Sequence, residues 1–241
     1  YDNVAALYEY GLSAGRADGA YGLNDPMTVG QIVIFAGRIR SLYCLGDAEE
    51  GPAAYAEEGT PTALRYLRYL QSEGVLDTEL DDRLAVTASR AQVAHVLANT
   101  LPEEALPSIN NERVTVGYSS RRFIPDVTEY TPYYTDILDL YRRGVSVGSD
   151  AQGSFLPEAP ITRGAAAAML TRMVEPGLRV QPQWDLSDLY SAEGTLLSDL
   201  VEPGEFYPSP ANAQEMDSTI RYMLSRGERQ LLLYYPGLGL T

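Results

Sequence analysis

The sequence lacks lysine and has very little cysteine or histidine. All 18 basic residues are arginine, against 33 acidic residues, so the 241-residue chain has a formal net charge of −15. A chain this acidic is poorly suited to bind DNA, RNA or an anionic bilayer. No run reaches the ~18 consecutive apolar residues that a membrane-spanning helix needs. We therefore expect no nucleic-acid partner and no membrane span.

The single cysteine and the single histidine limit the chemistry further. Cys44 cannot form an internal disulfide, and we expect it to be a small buried hydrophobic residue. With only His95 beside it, a zinc site and the common Cys–His or Ser–His catalytic pairs are not predicted. The acids from Asp77 to Asp82 lack the spacing of an EF-hand, so calcium is not predicted. The sequence thus predicts no cofactor, no metal and no catalytic residues.

Three segments of the chain share one pattern, and we call them repeats one, two and three. They span residues 5–39, 64–101 and 136–174. Each opens with an apolar stripe that stops at a glycine, which predicts a helix closed by a left-handed residue. A turn-rich loop follows, and we expect its aromatic residue, Tyr21 in repeat one and Phe155 in repeat three, to plug the core. The glycines are Gly11, Gly74 and Gly144.

A second helix is predicted after each loop, with N-caps at Thr28, Ser89 and Thr162. Gln31 and Gln92 complete capping boxes in repeats one and two. Apolar residues recur at positions +4, +7 and +8 from each cap, which is one face of a helix. No helix pair is large enough to bury this stripe alone, so three pairs around one axis would share a core. The stripe residues are Ile32, Phe35, Ala36, Val93, Val96, Leu97, Ala166, Met169 and Leu170.

Three motifs within and just before repeat three resemble those of a known family. FIPDV at residues 123–127 resembles the F-x-D-V opening of the S-layer homology domain. GSDAQGSFLP at 148–157 is similar to that family's glycine-rich loop, and ITRGA at 161–165 is similar to the start of its second helix. Repeat one keeps the loop, and repeat two keeps only the helix start. The resemblance covers roughly residues 1–175 and suggests a tandem triplet that is degenerate in its first two repeats.

The resemblance implies a mainly α fold of three helix–loop–helix prongs in a pseudo-threefold cluster. We expect residues 1–60, 61–120 and 121–175 to hold one repeat each with its linker, including a short extended stretch at 114–118. Residues 176–241 are expected to form a short α/β tail, which starts a downstream domain with a helix at 211–226 and a strand at 230–235. The opening of the chain is interpreted as a fragment of a longer precursor.

The resemblance also implies a function. Such triplets are non-covalent anchors of bacterial surface proteins, and they bind secondary cell-wall polysaccharide, often pyruvylated, in grooves between prongs. This implies an extracellular protein at the cell wall whose partner is a glycan linked to peptidoglycan. In the family an arginine at the second-helix start reaches the negative charge of the ligand. That role maps to Arg163 and Arg90, whereas Val29 stands at this position in repeat one.

The residues themselves support an anion site near these arginines. A sugar carboxylate suits an arginine fork beside a helix N-terminus, where free N–H groups and the helix dipole favour negative charge. Residues 121–175 hold seven acids and six arginines, net −1, whereas residues 1–60 hold nine acids and three arginines, net −6. We therefore expect the active groove around Arg163. The resemblance also implies roles for Asp126 and for the loop glycines Gly148 and Gly15, and the other candidate ligand-binding residues are Arg90, Thr162, Tyr133 and Tyr134.

Other interpretations stay open. Arg163 and Arg90 could be structural and pair with acids of a neighbouring prong. The whole chain could be a degenerate scaffold that docks another protein or spaces a downstream domain, whose predicted leader faintly resembles that of transglutaminase-like domains. A glycan hydrolase using a pair of carboxylates is a third interpretation, for which the many acids supply only chance pairs.

Overall fold

The computed structural model describes residues 2–13, 15, 21–110, 124, 126–128, 130–151 and 153–181. Over these ranges the fold is mainly α, as predicted, and β structure is limited to three isolated bridges. A short 3-10 turn, Pro176–Leu178, follows the last helix. None of the helices in the described ranges is long and apolar enough to cross a membrane. The helices are α1 (Asp2–Glu9), α2 (Val29–Leu45), α3 (Glu50–Ala53), α4 (Thr62–Ser72), α5 (Arg90–Thr100), α6 (Tyr134–Arg142) and α7 (Arg163–Val174).

The first helix of each repeat, α1, α4 or α6, stops as the sequence predicts. Gly11, Gly74 and Gly144 follow these helices with φ of 66°, 69° and 71°. The residue after each glycine donates its N–H to a carbonyl five residues back, as from Val145 to Leu140 at 2.8 Å. Each helix therefore ends in a C-cap in which glycine adopts the left-handed backbone conformation and the next N–H bonds a carbonyl of the last turn.

The second helices, α2, α5 and α7, start at the predicted caps. Thr28 and Ser89 form complete capping boxes with Gln31 and Gln92, and Thr162 accepts the N–H of Ala165 at 3.2 Å. All nine stripe residues predicted for these helices are buried. The caps and the stripes therefore confirm the sequence-based helices.

The helix pairs combine different repeats, which the sequence did not predict. Extensive contacts join α4 with α2, α6 with α5, and α1 with α7, and α2 also packs against α5. Each first helix thus packs on the second helix of the repeat before it, and the first repeat closes on the last. The Tyr10 hydroxyl donates to Glu175 Oε1 at 2.6 Å across this closing pair. The loops contact the start of a second helix in another repeat, as the Asp25 carbonyl does by accepting the N–H of Arg163, and such contacts between residues far apart in the chain leave no local pattern.

Three backbone hydrogen bonds join the repeats in a closed ring. Met27 donates to the Ile161 carbonyl at 3.1 Å, Ile161 donates to the Ala88 carbonyl at 3.1 Å, and Ala88 donates to the Met27 carbonyl at 2.8 Å. Each of these residues precedes an N-cap and is at most 1% exposed. The starts of α2, α5 and α7 are therefore fixed relative to one another by one buried ring.

Some expectations about single residues and linkers need correction. Cys44 is exposed, so the prediction of a buried residue is wrong; it lies in the last turn of α2, beside Glu73. Phe155 is fully buried as predicted, whereas Tyr21 is only half-buried. The linker after repeat one contains the short helix α3, which was not predicted.

Parts of the sequence-based interpretation fall outside the described residues. These are the stretch at 114–118, the helix at 211–226 and the strand at 230–235. The boundaries at residues 60, 120 and 175 and the pseudo-threefold arrangement of prongs stay predictions.

Candidate functional site

The loop of repeat three is held in a narrow turn by Gly148. This glycine has φ of 90°, and a Cβ added to it would lie 2.5 Å from the backbone of Gly153. Ser149 donates its N–H to the Ser154 carbonyl at 2.7 Å, across the same turn. Gly148 is therefore required by the loop geometry, and a direct role in ligand binding stays a prediction.

Asp126 stabilises the C-terminal end of this loop through hydrogen bonds to its backbone. Its Oδ1 accepts the N–H of Phe155 at 2.7 Å, and its Oδ2 accepts the N–H of Leu156 at 2.6 Å. Leu156 adopts a left-handed φ of 60°, which is unfavourable for leucine, and the two bonds compensate for it. Both carboxylate oxygens thus accept hydrogen bonds from the backbone of the loop. A contact of Asp126 with a ligand stays a prediction.

Replacing Asp126 with alanine should lower the free energy of unfolding by about 3 kcal/mol, because two N–H groups lose a charged acceptor. Asp126→Asn keeps one acceptor oxygen, so we expect about half that loss. Urea unfolding followed by circular dichroism measures both. Equal stability of the alanine variant and the wild type would contradict this role.

Arg90 bridges repeats two and three. Its guanidinium lies over the ring of Phe155, 4.8 Å from the centroid, and its Nε donates to the Phe155 carbonyl at 2.5 Å. The residue is 7% exposed, and burial lowers the pKa of its guanidinium. The structure therefore places Arg90 at a seam between repeats, with little surface for a ligand.

Arg163 makes the same contacts at the seam between repeats three and one. Its guanidinium lies 4.6 Å from the centroid of the Tyr21 ring, and its Nε donates to the Tyr21 carbonyl at 2.8 Å. Unlike Arg90, it is partly exposed. Both arginines donate to a main-chain carbonyl in the loop of the neighbouring repeat. This is a structural role, but it differs from the ion pairs with acids of a neighbouring prong that the sequence analysis considered.

The third seam has lost both partners. By the alignment of the repeats, Val29 stands at the arginine position of repeat one and Asp82 at the aromatic position of repeat two. The backbone contact is nevertheless kept, since Gly30 donates to the Leu84 carbonyl at 2.9 Å. The arginine and its aromatic partner are therefore present together or absent together at each seam.

The helix N-termini do not offer the free N–H groups that the sequence analysis expected. In α7, Arg163 and Gly164 donate to the carbonyls of Asp25 and Leu23, and the N–H of Ala165 goes to the cap. The starts of α2 and α5 are bonded in the same way. Carbonyls of neighbouring loops and the caps thus accept from these N–H groups. The expectation that free N–H groups at the helix starts bind an anion is therefore wrong, and the case for an anion site depends on the arginine side chains.

The predicted aromatic residues lie at another seam. The Tyr133 ring stacks on His95 with 4.5 Å between centroids, its hydroxyl donates to Glu79, and burial raises the pKa of that hydroxyl. Tyr134 is half-buried against the core, and Thr162 serves as the cap of α7. The structure therefore does not bring these tyrosines to Arg163, and their roles in sugar binding stay predictions.

Residues 123–167 match the family model of the S-layer homology domain. The chain therefore contains an S-layer homology domain. The matched residues overlap most of repeat three, and the tandem triplet stays a prediction. The curated proteins gave no match to the chain. S-layer homology domains are non-catalytic modules that bind cell-wall polysaccharides, which indicates a protein anchored at the cell surface or cell wall.

Proposed function

We propose that the chain is a non-catalytic anchor that binds an anionic secondary cell-wall polysaccharide, such as a pyruvylated one, at the seam between repeats three and one. The observation that carries this proposal is the placement of Arg163. Tyr21 holds the Nε and one face of the guanidinium, and the side chain is partly exposed. No described residue accepts from the other N–H groups of this fork. Because the Nε is held, the orientation of these N–H groups is fixed, and we expect them to bind a carboxylate of the ligand.

The chemistry of the fork favours a carboxylate as the ligand group. A guanidinium can donate two parallel N–H bonds to one carboxylate, and an arginine that is already oriented loses less entropy on binding. Arg90 is buried and Val29 has no charge, so one seam of the three carries the proposed contact.

Replacing Arg163 with alanine should weaken binding to purified wall polymer at least tenfold, because a charge-assisted bidentate contact contributes about 1.5–3 kcal/mol. Arg163→Lys keeps the charge without the fork, and we expect intermediate affinity. Co-sedimentation with the polymer, or calorimetry with soluble fragments of it, measures both.

The matched control is Arg90→Ala. It removes the equivalent contact with Phe155 from a buried seam, so we expect a loss of stability with unchanged affinity of the folded protein. If Arg163→Ala binds the polymer like the wild type, or if Arg90→Ala loses as much affinity as Arg163→Ala, the proposed site is wrong.

A second candidate function is a scaffold for another protein, including the spacing of a transglutaminase-like downstream domain. The observation in its favour is an exposed apolar side chain in each of the three loops. Leu23, Val86 and Leu156 are 48%, 53% and 45% exposed. Isolated wall sacculi tested before and after removal of the secondary polymer separate the two functions. An anchor should lose binding on removal, whereas binding that persists favours a protein partner.

A further inference from the structure

A cluster outside the Arg163 seam combines the lone histidine with two acids. Asp77 and Glu79 lie in the loop after α4, and His95 lies on α5. One imidazole nitrogen and one oxygen from each carboxylate all lie within 4.8 Å of one another. Both acids are exposed, so their carboxylates can be reached from solvent.

The histidine ring is held in one orientation from behind. Its Nδ1 lies 2.8 Å from Oδ2 of Asp136 on α6, and Asn99 donates to the other oxygen of Asp136 at 3.2 Å. Tyr133 covers one face of the ring. Because an ionised carboxylate only accepts hydrogen bonds, Nδ1 carries a proton and Nε2 is the nitrogen left for another partner.

The state of the Nε2 atom of His95 is a second observation that points to a ligand, separate from the proximity of the two acids. The Nε2 of His95 is buried and bonded to none of the residues that the structure describes. A buried polar atom without a partner is costly and needs an explanation. A hydrogen bond from Nδ1 to a carboxylate is the means by which proteins orient an imidazole so that its Nε2 can bind a metal ion.

We propose that His95, Asp77 and Glu79 bind a divalent transition-metal cation of the zinc class. One imidazole nitrogen with two carboxylate oxygens suits such a cation, whereas calcium prefers six to eight oxygens. Glu79 accepts from Tyr133 with Oε1, so its other oxygen is the one available. The exposed acids can close around the ion by changing rotamers, and water completes the coordination.

The proposed ion would connect parts of the fold that are distant in sequence. It joins the loop after α4 to α5, and through Asp136 and Tyr133 it reaches α6 of repeat three. Because the unfolded chain does not hold these groups together, bound metal should stabilise the native state. The site is therefore expected to act as a structural clasp, independent of glycan binding at Arg163.

The test is a titration of the full chain with zinc chloride, with calcium chloride as the comparison. We expect one zinc ion per chain with a Kd tighter than about 100 μM, and no comparable calcium binding. Saturating zinc should raise Tm by about 5 °C. The hydrogen bond to Asp136 raises the pKa of His95, so the titration is run at about pH 8, where protons compete less for the imidazole.

Variants separate this site from other zinc ligands. Asp77→Asn keeps the acceptor that binds the Glu79 N–H, and Glu79→Gln keeps an acceptor for Tyr133, so both should fold normally. Each should weaken zinc binding at least about tenfold, and His95→Gln should do the same.

Two controls should leave zinc binding unchanged. Glu58→Gln removes an exposed acid elsewhere, and Cys44→Ser removes the exposed thiol. No zinc binding by the wild type overturns the proposal. So does equal binding by Glu58→Gln and Glu79→Gln, or loss of the bound zinc in Cys44→Ser.

Discussion

Gly148→Ala should lower the free energy of unfolding by about 4 kcal/mol, the sum of left-handed strain and overpacking. The new Cβ would lie 2.5 Å from backbone atoms of Gly153, and the backbone cannot move aside as a flexible side chain could. The same loop presents Phe155 to the core and to Arg90, so the change should also loosen the seam between repeats two and three. Chemical denaturation gives the loss directly.

The matched control for this prediction is Gly74→Ala. Gly74 has φ of 69°, but a Cβ there would meet nothing within 4 Å. Only the left-handed strain applies, so we expect a loss of about 1 kcal/mol. If the two variants lose equal stability, the close approach between Gly148 and the backbone of Gly153 is not the reason that glycine is required at position 148.

The features predicted correctly from the sequence are those that a few neighbouring residues determine. Glycine after an apolar stripe ends α1, α4 and α6, and a threonine or serine with glutamine three residues later starts α2 and α5. Each signal acts within about one helical turn. The period of the buried stripe is equally local, which is why all nine stripe residues were assigned correctly.

The features that were missed depend on residues far apart in the chain. Arg163 meets Tyr21 at a separation of 142 residues, and no local pattern specifies that contact. The pairing of each first helix with another repeat is missed for the same reason. The exposure of Cys44 depends on α2 running past the core, which its apolar neighbours Leu42 and Tyr43 did not reveal.

One signal in the sequence could have indicated the seams. The repeat that lacks the arginine is followed by the repeat that lacks the aromatic residue, since Val29 and Asp82 replace them. Joint loss of two residue types in consecutive repeats predicts that they contact each other across the junction. His95 offered no such signal, because its partner Asp136 is 41 residues away in another repeat.

Phe155→Ala should also cost about 4 kcal/mol, because it removes a fully buried aromatic side chain. The ring packs against Tyr141, with 6.0 Å between centroids, and supports the guanidinium of Arg90. In a double-mutant cycle with Arg90→Ala, we expect a coupling energy of about 1 kcal/mol from the cation–π contact. Additive losses would show that the two side chains stabilise the fold independently.

Phe155→Leu links this stability argument to function. Leucine keeps most of the buried volume, so the fold should survive with a smaller loss of about 1.5 kcal/mol. The proposed glycan contact uses the fork of Arg163 on Tyr21, a different seam. Phe155→Leu should therefore bind the wall polymer with unchanged affinity, while Tyr21→Leu, which removes the ring under Arg163, should bind it more weakly. Equal binding by these two variants would mean that the orientation of Arg163 does not depend on Tyr21.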